Sequence, residues 1–229
     1  MGSPLPAYWR PHVKYAVLID GGFIKRKLGS QTRPMTATEV SHFLDRLKAH
    51  PALVDLSLHR IYWYDAQPLE SSARRPLRGG RVDFSSTRQA LHNKALLRDL
   101  CALPNVSLRK GELVFRGWRV RHGRLSEREQ SVTLVAADLE PNVQQKGVDM
   151  RIGLDIASLT MKRHADVVVL VSGDSDFVPA MKFARREGAL FLVTFGHGVR
   201  PEMLEHSDRV LDMPAERTRQ QRAPESHAA

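Results

Sequence analysis

Val167-Val168-Val169-Leu170-Val171, running straight into Ser172-Gly173-Asp174-Ser175-Asp176, is the stretch on which the reading of the fold turns. Five consecutive apolar residues bounded by turn formers read as a strand buried on both faces, because a strand with one wet face would alternate. Phe177 to Glu187 then carries a helical pattern that stops at Gly188, so the aspartates fall between a strand's carboxyl end and the next helix. The same arrangement occurs near the start of the chain. Tyr15-Ala16-Val17-Leu18-Ile19 ends abruptly at Asp20-Gly21-Gly22, and Phe23 to Leu28 can open a helix.

Between these two units the pattern keeps alternating. Thr36-Ala37-Thr38-Glu39 reads as a capping box, followed by Val40, Phe43, Leu44 and Leu47 at helical spacing. Leu56 to Tyr64 reads as a strand ending at Asp65, with Tyr62, Trp63 and Tyr64 expected in the core rather than as a stacking surface. Ser71 to Asp83 reads as an exposed loop, and Ser85 to Cys101 as a helix. Val106-Ser107-Leu108, Leu113-Val114-Phe115 and Trp118-Arg119-Val120 predict an antiparallel excursion of short strands, a candidate dimer arm, with a further strand at Val132 to Ala136. Gly147 to Lys162 is helical by spacing, and Leu190 to Phe195 and Arg209 to Leu211 complete the strands. Strands that alternate with helices predict an α/β fold: a mainly parallel sheet with helices on both faces. Residues 1–11 are expected as a flexible N-terminus, 12–213 as one domain and 214–229 as a disordered tail.

Composition narrows the partners. The 229 residues are 42% hydrophobic and 26% charged, within the globular range, but the net charge is +10. Pro214 to Ala229 holds three arginines against two glutamates, so nine of those charges belong to the body. A surplus of that size draws polyanions, nucleic acid first. No stretch reaches the ~20 apolar residues that span a bilayer, and the first dozen residues lack a signal-peptide core. The single cysteine, Cys101, lies in an apolar run and is expected as a buried thiol in a reducing cytoplasm.

In open parallel sheets ligands bind outside the carboxyl ends of the strands. Asp20, Asp174 and Asp176 therefore share one sheet edge, and Asp149, in the first turn of its helix, can face the same crevice. Two carboxylates ~4 Å apart cost about 4 kcal/mol even at an effective dielectric of 20. A cation or protons must offset that repulsion. Oxygen ligands without Cys or paired His suit Mg²⁺ or Mn²⁺, and such ions polarise phosphodiesters and activate water. Each aspartate alone reads more simply as a turn former or helix cap; recurrence at two strands is what argues for a site.

Val17-Leu18-Ile19-Asp20-Gly21, Lys146-Gly147-Val148-Asp149 and Ser172-Gly173-Asp174-Ser175-Asp176-Phe177 together resemble the NYN domains of the wider PIN-like and flap-nuclease group, over roughly residues 12 to 213. The resemblance implies a PIN-like three-layer sandwich and a Mg²⁺- or Mn²⁺-dependent ribonuclease. Asp20, Asp149 and Asp174 stand where metal ligands would, and Asp176 as a further ligand or supporting acid. Many relatives carry Asn where this chain has Phe23, which puts efficiency or substrate choice in question.

Lys146 and Ser172 are candidate contacts to phosphate. Arg74, Arg75, Arg78 and Arg81, with Arg88, face a single Asp83 and are candidates to clamp RNA or, alternatively, DNA. The histidines show no ligand spacing, and Asp155 and Asp166 read as ordinary surface or cap positions. Two other classes compete with the nuclease. A regulatory RNA-binding module of the same fold is favoured by Phe23 but opposed by four retained aspartates. A phosphatase with a strand-end Asp-x-Asp would place that motif on the first strand. No Gly-x-Gly-x-x-Gly or Walker loop follows any strand.

Overall fold

Lys14–Asp20 forms β1, the middle strand of a seven-stranded sheet, in a computed structural model that describes residues 13–30, 32–125, 130–196 and 199–214. The segment 1–11 and, apart from Pro214, the tail lie outside the described residues. After β1 come α1 (Gly21–Leu28), α2 (Ala37–Lys48), β2 (Ser57–Ala66), β3 (Ser72–Arg74), β4 (Arg81–Asp83), α3 (Arg88–Leu100) and β5 (Val106–Val120). The chain continues through β6 (Leu139–Lys146), α4 (Val148–Met161), β7 (Val167–Val171), α5 (Val178–Glu187), β8 (Ala189–Thr194), α6 (Pro201–Glu205) and β9 (Arg209–Asp212).

The sheet order is β6-β5-β2-β1-β7-β8-β9, parallel throughout except for the β5–β6 pair. The chain builds outward from β1 in one direction through β2 and β5. It then returns to the other side of β1 with β7, so the switch point of the topology lies between β1 and β7.

Continuous apolar strands divide their side chains between two cores. Val17, Ile19, Val169 and Val171 face α1, α2 and α3; Ala16, Leu18, Val168 and Leu170 face α4 and α5. Each of the Val, Leu and Ile side chains contributes roughly 1.5–3 kcal/mol by leaving water, and both faces of β1 and β7 collect that gain. The Thr36 capping box is present: Glu39 N donates to Thr36 Oγ1 at 3.3 Å and Thr36 N to Glu39 Oε2 at 2.8 Å. Tyr62, Trp63 and Tyr64 are buried in the core.

The middle of the chain departs from expectation. Val106 to Val120 is one strand, bent by an irregularity between Phe115 and Trp118 where Gly117 takes φ 98°. Its first part pairs with β2 and its second with β6. No strand forms at 132–136; the strand lies later, at β6, and carries Pro141 at the sheet's edge, where a missing N–H is tolerated. The expected loop at 71–83 contains the β3–β4 hairpin, held to β5 by Trp118 Nε1 donating to Arg74 O at 2.9 Å. Cys101 is exposed, because Leu96, Leu97 and Leu100 take the inward face of α3 and the C-cap falls off it.

Candidate active site at the carboxyl edge of the sheet

Asp20 ends β1 and caps α1, its Oδ1 accepting from Phe23 N at 3.0 Å. Its other oxygen accepts from Ser172 Oγ at 3.2 Å, and the same buried hydroxyl accepts from Asp174 N at 3.2 Å. Asp174 Oδ1 accepts in turn from Asp176 N at 3.0 Å and caps the short 3-10 turn Ser175–Phe177. One buried serine thus ties the two central strand ends together at the switch point.

Asp149 approaches from α4. Gly147, with φ 73°, makes the left-handed turn from β6 into the helix and so places Asp149 in its first turn. Although Asp149 as a residue is exposed, its carboxyl is held above the ordinary carboxylate value. Partial shielding from water is the first cause, followed by the carboxylates of Asp20, Asp174 and Asp176. Asp149 therefore lies within electrostatic reach of the other three expected aspartates. Among the described residues, however, no group of three or more His, Cys, Asp or Glu side chains is arranged to hold a metal ion as it stands. The donor set is carboxylate oxygen, which fits a hard divalent cation, and the mutual repulsion at Asp149 is what such a cation would relieve.

Two acids overlooked in the sequence complete the neighbourhood. Tyr64 lies opposite Asp20 in the register, so Asp65, next to last in β2, stands at the same sheet edge. It is buried, and both its oxygens bind Lys25 Nζ, at 3.0 and 2.8 Å. Gly21 makes this close approach feasible: a Cβ there would lie 2.7 Å from Tyr64 O and 3.1 Å from Asp65 Cγ. The strand-end position of Asp65 was the available signal; its lysine partner, forty residues away, was not legible.

Asp155 is not an ordinary surface residue. It accepts from Tyr64 Oη at 2.7 Å and from Arg109 Nε at 3.1 Å, and the Arg109 guanidinium lies 4.9 Å from the Tyr62 ring centroid. Burial, then the Asp155 carboxylate, push the Tyr64 phenol far up. This knot fixes α4, and with it Asp149, against β2 and β5. Asp166 is an exposed surface residue, as expected, and accepts from Lys14 N at 2.8 Å at the start of β1.

Lys146 ends β6 and is exposed beside Gly147. Arg74, Arg75, Arg78 and Arg81 all lie on or within the β3–β4 hairpin. Arg75 stacks on Trp118 at 5.1 Å, Arg81 donates to Ser72 Oγ at 2.9 and 2.6 Å, and Arg78 occupies the turn at φ 57°. Among the described residues, no hydrogen bond or ion pair links these arginines to the four carboxylates. Phe23, at the variant position, packs against Gly173 and lies 5.8 Å from Phe195, with Lys27 Nζ 5.5 Å from its ring centroid.

A mainly parallel sheet covered on both faces, with its carboxylates gathered at the β1–β7 switch point, defines a PIN-like α/β domain. The chain belongs to the NYN domain family, whose model matches residues 14–213, and that family is one of nucleases. A search of the curated proteins found no match. Among solved structures, a protein of unknown function from Vibrio parahaemolyticus is similar at 13% identity and a TM-score of 0.44, covering 88% of this chain and 93% of its own. No helix among the described residues is long and apolar enough to cross a membrane.

Proposed function

We propose that the protein is a Mg²⁺- or Mn²⁺-dependent ribonuclease that hydrolyses phosphodiester bonds at the β1–β7 edge. The observation that carries this reading is the junction of the two central strand ends, where Asp20 and Asp174 share the buried Ser172 hydroxyl. Asp20, Asp149 and Asp174 would hold the cation, with Asp176 as a further ligand; bound there, it supplies polarisation of the phosphodiester and activation of water. Ser172 keeps the Asp20 carboxylate oriented while its buried position excludes bulk water from that side. Asp155, Tyr64 and Arg109 fix the helix that carries Asp149, and Lys146 offers a phosphate contact next to it.

A second reading, an RNA-binding module with little or no cleavage, is favoured by Phe23 at the position where many relatives carry Asn. One assay separates the two: cleavage of labelled RNA and matching DNA in Mn²⁺, Mg²⁺ or EDTA, with Asp174→Asn alongside. Metal-dependent cutting lost in the variant supports the nuclease. Tight binding without cutting in any metal supports the module.

A further inference from the structure

A groove of about 900 Å³ opens directly beside the carboxylates, between α1 and the start of α3. Its wall carries Lys25, Arg26, Arg88, His92 and Asn93, and no acidic residue among the described ones lines it. Gly22, two residues after Asp20, lines its near end. A Cβ built there would lie 3.2 Å from Asp20 Oδ1 and 3.5 Å from Arg26 Nη1, so the strand-end carboxylate and the guanidinium flank a single point.

The cations differ in how they are committed. Lys25 is held by both oxygens of Asp65 and forms a fixed part of the wall. Arg26 and Arg88 are exposed, and neither has a carboxylate partner among the described residues. His92 is anchored from behind, its Nε2 donating to Met35 O at 2.8 Å.

Past Gln89 and Asn93, which border both spaces, the groove meets a smaller cleft of about 230 Å³. This one is apolar, lined by Pro68, Leu69, Phe84, Leu113, Pro141 and Val143. Unpaired cations followed by an apolar recess, with side-chain amides between them, match a polymer that alternates phosphates with flat apolar bases.

We propose that this α1–α3 groove is the polynucleotide track, with Arg26 and Arg88 gripping backbone phosphates on one side of the bond at Asp20 and the apolar cleft receiving a base. The proposal rests on the phosphodiesterase reading of the carboxylate edge. It moves the main grip away from the arginine-rich hairpin, whose Arg75 and Arg81 are already engaged in stacking and hydrogen bonding.

The test is binding of a short labelled RNA, and of DNA of the same sequence, in EDTA across a salt series. Three proteins are compared: the wild type, Arg26→Glu/Arg88→Glu, and Arg60→Glu/Lys162→Glu. The last pair reverses two exposed charges away from the groove, so it controls for net charge. The groove pair should bind at least about tenfold more weakly and lose about 1.4 from the log–log salt slope, at roughly 0.7 per single-strand phosphate contact. The control pair should stay close to wild type. Equal binding by the groove pair, an equal fall in the control pair, or no binding by the wild type overturns the proposal.

Cleavage in Mn²⁺ keeps the two readings apart. Cutting by the groove pair with KM unchanged removes the groove and leaves the nuclease standing. Binding lost in the groove pair, with no cutting even by the wild type, keeps the groove and removes the nuclease.

Discussion

Asp149 gives the residue-scale account its sharpest test. Its folded carboxyl sits above the ordinary value, by shielding and then by repulsion from Asp20, Asp174 and Asp176. A group raised in this way contributes stability below its unfolded pKa and loses it as pH rises through the folded value. Ionised Asp149 therefore strains the metal-free protein at neutral pH. Asp149→Asn should melt higher than wild type in EDTA at pH 7, and the advantage should vanish below the ordinary aspartate pKa of about 3.9. Thermal melts of both proteins at the two pH values check this. Phe23→Asn should act in the opposite direction. The ring fills space against Gly173 and Phe195, so its loss should cost about 1–3 kcal/mol in urea denaturation, the range of a partly buried truncation. Asp20, Asp174 and Asp176 were legible because local sequence alone puts them at strand ends. Asp65 showed the same strand-end position, but its pairing with Lys25, like that of Asp155 with Arg109, depends on a cation that only the folded chain brings near.

Elements were legible where burial is two-sided. β1 and β7 are runs of apolar residues that no other placement could satisfy, and the capping box marks α2 without help from tertiary contacts. Thr36→Ala should cost ~1 kcal/mol, the usual loss of an N-cap, read from a urea midpoint shift with an unchanged slope. β6 escaped notice because Glu140, Pro141, Asn142, Gln144 and Gln145 have little strand preference; pairing with β5 overrides it. The β3–β4 hairpin is too short for periodicity, and Trp118 holds it from outside. Gly147 is the element-scale hinge of the site. At φ 73° an alanine is strained by roughly 1–2 kcal/mol, and relief of that strain would swing the start of α4. Gly147→Ala should therefore lower both the melting temperature and the rate of metal-dependent RNA cleavage.

Across the whole molecule, a net charge of +10 surrounds a local knot of aspartates. The two signs have separate tasks in this account: the basic body gathers a polyanion, and the acidic edge gathers a cation. RNA binding should accordingly weaken steeply between low and moderate salt, since counterions return as phosphate contacts break. The acidic edge can be tested without knowing which RNA is the substrate. Calorimetric titration of Mn²⁺ into metal-free protein should give a saturable binding heat that Asp174→Asn and Asp20→Asn each abolish while remaining folded. No binding heat, or binding untouched by either substitution, would contradict the assignment of the β1–β7 edge as a metal-dependent catalytic centre.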